Sequence, residues 1–169
     1  MRTLITTSII AMSFMFAEQS LKGQEVAKVD ATTQARFDRF AKLLTGAKFK
    51  GSFTLDGKPL SDLQEEEYEI EKVEKMPELD LWSLTARIKY GKKDVSVPVP
   101  LFVKWAGETP VLTLDNLTLP GLGTFSSRVV LHGDKYAGTW QHDDKGGHLF
   151  GHIILAKQNA ASPAGGDAK

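Results

Sequence analysis

The chain has 169 residues, 41% of them hydrophobic, enough for one domain with a real core. Lys plus Arg and Asp plus Glu balance at 21 each, so the basic footprint of a nucleic-acid binder is missing. There is no cysteine, which excludes disulfides and thiolate metal sites.

Residues 1–17 read as a signal peptide. Arg2 supplies a short positive region, and Leu4 to Ala17 (LITTSIIAMSFMFA) is uncharged, mostly apolar and too short to span a bilayer comfortably. Ala17 suits the last position before cleavage, so the mature chain is expected to start near Glu18 and to be secreted or periplasmic, with no membrane span left. An uncleaved anchor is the alternative. Residues 18–31 form a flexible lead-in, and 32–157 the folded domain. The tail 158–169 ends in NAASPAGGDAK, is poor in apolar residues and reads as disordered.

Within the domain, TTQARFDRFAKLLTG reads as one helix. Phe37, Phe40, Ala41 and Leu44 make a single apolar stripe, Thr32 or Thr33 caps the start, and Gly46 suits the C′ position. From residue 48 the period becomes two. FKGSFTL (49–55) is a strand. EEYEIEKV (66–73) puts Tyr68 and Ile70 on one face and Glu67, Glu69 and Glu71 on the other. LWSLTARIKY (81–90) alternates Trp82, Leu84, Ala86, Ile88 and Tyr90 with polar residues. Further strands are expected near 94–104, 110–115, 124–132, 136–142 and 148–155, separated by turns such as DGKP, HGDK and DDKGG.

The expected fold is all-β: an antiparallel eight-stranded meander barrel with one N-terminal helix. Pro98 and Pro100 qualify it. Two residues apart, they remove two ladder donors from the same side of their strand, which places that strand at an edge, a bulge or an imperfect seam. The helix entering Gly51-Ser52-Phe53 and the meander after it resemble the calycin group, lipocalin-like barrels, over about residues 33–155. Phe53 stands where lipocalins carry tryptophan, and YAGTW (136–140) lies near the wrong end for their signature. The run KYAGTWQHDDKGGHLFGHI, with PVLTLDNLTLPGLGTF before it, resembles a group of uncharacterised secreted bacterial (planctomycete-type) proteins. That resemblance implies export and brings no catalytic residue.

Three of the four histidines lie in HDDKGGHLFGH (142–152). Read as a hairpin with DDKGG as a five-residue loop, it sets His142 opposite His148, Trp140 opposite Phe150 and Gly138 opposite His152, all on one face. His142 and His148 would then be near enough to share a divalent ion such as zinc, with Asp143 or Asp144 as third ligand. His148 and His152, about 13 Å apart along a strand, would not. The favoured reading makes these histidines polar members of a hairpin or barrel mouth. The run Glu65-Glu66-Glu67 reads as a solvated strand start, the alternatives being general-acid work or cation binding. No serine-nucleophile or phosphate-loop motif occurs.

The expected function is therefore non-enzymatic binding, without a cofactor, of a small or extended ligand in the barrel or at its mouth. Trp82, Tyr136, Trp140, Phe150 and His152 are the candidate contacts. The rivals are a metal-binding protein or metal-dependent enzyme using His142 and His148, and a cell-envelope interaction module using the edge near Pro98 and Pro100.

Overall fold

A computed structural model of the chain describes residues 29–156 except 79, 91 and 92. Residues 1–17, expected to be a signal peptide, residues 18–28 and the tail 158–169 lie outside the described residues. Helix α1 (Ala31–Leu44) is capped by Asp30 rather than by a threonine. The Asp30 carboxylate accepts from the backbone N–H groups of Thr32 and Thr33 and from the Thr33 hydroxyl. A carboxylate two residues before Thr32 accepts from two free N–H groups of the first turn. Gly46 ends the helix at φ 78°, the left-handed conformation that suits glycine.

Eight strands follow: β1 (Ala47–Phe53), β2 (Gln64–Lys75), β3 (Leu81–Tyr90), β4 (Lys93–Ala106), β5 (Thr109–Leu119), β6 (Gly123–His132), β7 (Lys135–His142) and β8 (Lys145–Ile154). Each pairs antiparallel with the next, and β8 pairs with β1 from Lys48↔Ile154 to Phe53↔Leu149, closing the barrel. The all-β barrel with one N-terminal helix is the fold of the described residues. Among them, no helix is long and apolar enough to cross a membrane.

The proline strand resolves the seam. β4 pairs with β3 without a break from Lys93 to Phe102, through Pro98↔Thr85 and Pro100↔Ser83. On its other side it pairs with β5 only from Phe102 to Ala106. The missing N–H groups thus fall where β4 has no ladder partner, and the barrel closes with a short β4–β5 seam.

Helix α1 closes one end, called the lower end here. Phe37 and Phe40 meet Trp82 edge-on with ring centroids 5.3 and 4.9 Å apart, and both rings also contact Trp105. Arg36 lies 4.5 Å over the Trp105 ring, and Arg39 pairs with Glu108 in the β4–β5 turn. Leu44, Ala47, Val103 and Trp82 are essentially without solvent contact. Trp82 is 1% exposed, in keeping with the inward face expected from the β3 alternation.

Candidate functional site

The upper end of the barrel is different. Its inward residues Phe53, Tyr68, Ile88, Val99, Leu114 and Trp140 are only half-buried, although they pack on the core beneath. Phe53 and Trp140 meet edge-on, 5.3 Å apart. The Trp140 indole N–H is shielded from solvent and, among the described residues, has no acceptor; the same holds for Trp82 and Trp105 in the lower end.

Beside this apolar wall lies a buried polar group. Tyr136, Gly151, Gly51 and Glu66 occupy one row across β7, β8, β1 and β2. The two glycines leave the inner surface bare. A side chain on Gly51 would meet the Tyr136 hydroxyl at 2.6 Å, and one on Gly151 the Tyr136 ring at 2.8 Å. Tyr136 therefore lies over two strands and donates to Glu66 at 2.7 Å, while Tyr68 donates to the other carboxyl oxygen at 3.1 Å. Glu66 is 8% exposed. Burial pushes its carboxyl above the usual carboxylate range, partly offset by the two phenol donors. Burial also raises both phenols, as does the Glu66 charge.

This sets the sign of a pH effect. A carboxyl that holds its proton more tightly when folded favours folding at pH below the ordinary carboxylate range. It loses that contribution as pH rises through the elevated folded value. Glu66→Gln should therefore gain stability relative to wild type between pH 4 and pH 7, seen as a growing difference in melting temperature. A difference that stays flat across that range would show a carboxyl with an ordinary titration.

The histidine hairpin has another register. His142 pairs with Lys145, so the connection is only Asp143-Asp144, with Asp143 at φ 51°. The expected five-residue loop would set an even sum of paired positions, and the actual sum is odd. Every side chain of β8 accordingly changes face. Thr139, not His142, lies opposite His148, and Gly147, not Phe150, lies opposite Trp140. The physical reason is steric. Tyr136 needs a glycine opposite and Thr54 needs one beside its backbone, and this register places Gly151 and Gly147 there while turning Leu149 and Ile153 into the core.

The structure thus keeps Trp82, Tyr136 and Trp140 inside and places Phe150 and His152 on the outer surface. Trp82 belongs to the filled lower end, so Tyr136 and Trp140 are the two candidate contacts that reach the upper barrel. His142 points inward at the rim. Its Nε2 is 2.7 Å from the Leu122 carbonyl, which fits a donated N–H, and its ring stacks on Phe125 at 4.3 Å. Asp143 exchanges hydrogen bonds with Thr124, accepting from its N–H and donating its own to its carbonyl. His148 is outside, and Asp144 is exposed. Of the four candidate metal ligands only His142 and Asp143 come together, with Nε2 3.4 Å from the carboxylate, and among the described residues no group of three or more His, Asp or Glu could hold an ion.

Glu66 escaped the sequence reading because it sits in a glutamate run. The signal was present nonetheless: by alternation it shares a face with Tyr68 and Ile70, which that same reading turned inward. The chain matches no protein-family model, no curated protein and no solved structure.

Proposed function

We propose that this chain is an exported, non-enzymatic binding protein of lipocalin-like type that takes one small ligand in the upper barrel. What supports the reading most is the contrast between the two ends. The lower end is covered by α1, which leaves only Ala41, Trp105 and Leu155 among the described core residues partly open there, whereas the upper end presents six inward aromatic and aliphatic side chains that remain half-open to solvent. An eight-stranded barrel has room for either core side chains or one small ligand, and the half-open residues of the upper end favour the second use there. An apolar wall with a few fixed polar groups is the usual make-up of a ligand site. Here Phe53, Ile88, Leu114 and Trp140 supply the wall, and the Glu66–Tyr68–Tyr136 group supplies the polar anchor.

Two observations bear on the rivals. His142 and His148 face opposite sides of the sheet, which supports the binding reading over the metal reading. The open stretch of β4 carries Pro98 and Pro100, which lack the donors an added strand would use, so it is a poor site for pairing with a partner.

The reading is tested with a neutral apolar fluorophore, N-phenyl-1-naphthylamine. Saturable one-to-one binding is expected, with the affinity reduced at least about tenfold, or about 1.4 kcal/mol, in Leu114→Trp, where an indole fills the space. Absence of saturable binding, or a filled variant that binds as wild type does, would overturn it.

A further inference from the structure

Glu66 is an acid inside the barrel without a base beside it. It is 8% exposed, and its hydrogen-bond partners are the Tyr136 and Tyr68 hydroxyls at 2.7 and 3.1 Å. Among the described residues no lysine, arginine or histidine pairs with it; burial and the two phenols are what act on its carboxyl. The cations of the neighbouring strands face outward. On β1, Lys48 and Lys50 alternate with the inward Ala47, Phe49 and Gly51 and stand opposite Glu69 and Glu67. On β2, Lys72 pairs with Glu74, and on β3 Arg87 is held by Asp94 at 2.6 Å. On β7 and β8 the members of the Glu66 row are Tyr136 and Gly151. His142 and Lys145 share the inward side of the hairpin, but at the rim. Lys145 is six residues along β8 from Gly151, roughly 20 Å at the usual rise.

A buried carboxyl is accommodated in one of two ways: it keeps its proton, or a cation comes to it. Burial holds the Glu66 proton more tightly than usual, the behaviour of an acid without its cation. An ionised carboxylate can accept about four hydrogen bonds, and the phenols supply two of them. Tyr68 is the half-buried member of the group, and its bond to Glu66 is the longer one. The carboxyl is therefore approached from the open upper end, past Tyr68.

We infer that the ligand of the upper barrel is an apolar amine, whose ammonium donates to Glu66 while its hydrocarbon part lies against Phe53, Ile88, Leu114 and Trp140. This ligand class rests on the binding reading above and adds the sign of the ligand's charge. An ammonium offers three donors and no acceptor, and a hydrogen bond between two charged groups is the strong kind. The phenols, which spend their protons on Glu66, present oxygen lone pairs toward the same point. A ligand carboxylate would meet an acid there and no free donor.

The experiment compares three probes of one chain length by calorimetry at neutral pH: octylamine, octanol and octanoate. N-phenyl-1-naphthylamine binding is followed in parallel. Octylamine should bind about tenfold or more tighter than octanol, as expected of a hydrogen bond to a charged group, and octanoate should bind weakest. Glu66→Gln should bring octylamine down to the level of octanol, with a melting temperature at or above the wild-type value. Equal affinity of octylamine and octanol would overturn the inference. So would octanoate binding tighter than the amine, with its head at the rim near Lys145, or an amine preference that survives Glu66→Gln. If N-phenyl-1-naphthylamine still binds in those cases, the barrel reading stands and only the ligand class falls. Saturable binding by none of the four probes would remove both.

Discussion

Replacing Trp82 with alanine is expected to lower the unfolding free energy by about 3–5 kcal/mol, the range for truncating a large buried aromatic. The size of the effect comes from where the ring sits. Trp82 is 1% exposed and takes the edges of both Phe37 and Phe40, so it joins the helix to the barrel floor. Alanine would leave a cavity that neither element can readily fill, because α1 is tied to the barrel by Arg39 pairing with Glu108 and, just past its end, by Gly46 N–H donating to the Ile70 carbonyl. Aromatic edge contacts add to the loss beyond buried area. Denaturant unfolding measures it; a loss below about 1 kcal/mol would mean that the helix does not close the barrel.

Gly51→Ala is the second large expected effect, costing about 1–3 kcal/mol or more by overpacking. The added methyl would meet the Tyr136 hydroxyl at 2.6 Å and the Gly151 Cα at 2.7 Å, and it would collide with the Phe150 carbonyl oxygen. The first of these is the end of a side chain and can move. The others are backbone of the neighbouring strand and cannot. Tyr136→Phe in the same chain should therefore fail to restore stability, although it removes the hydroxyl. Denaturation midpoints of the single and double variants check this. A Gly51→Ala chain within about 0.5 kcal/mol of wild type would show that the inner surface over β1 and β8 is not as bare and close as described.

The strand periodicity made most of the barrel legible. Alternation from Trp82 to Ile88 reports a half-buried strand directly, and the helix stripe Phe37, Phe40 and Leu44 is the set that is buried. The proline pair also carried its meaning, because a missing donor constrains one side of a strand whatever the rest of the fold does. The histidine hairpin was misread because glycines were assigned to the loop. Gly146 and Gly147 lie within β8, and the turn needs only Asp143 and Asp144. The better signal was Gly147 and Gly151 at the inward alternation of β8, where Gly151 leaves room for the Tyr136 ring and Gly147 for the Thr54 backbone. Glu66 illustrates a different limit. Composition assigns a run of glutamates to solvent, but position in the alternation assigns the middle one inward, and only its partners Tyr68 and Tyr136 make that burial tolerable.

The central claim, that the upper barrel holds one ligand, is tested most directly by the three indole N–H resonances of uniformly ¹⁵N-labelled protein. The indoles report both ends: Trp82 and Trp105 the lower end under α1, Trp140 the wall of the upper one. On titration with N-phenyl-1-naphthylamine, the Trp140 resonance should shift saturably while those of Trp82 and Trp105 stay in place. A shift confined to Trp82 and Trp105, or binding that leaves all three indoles unmoved, would contradict the account.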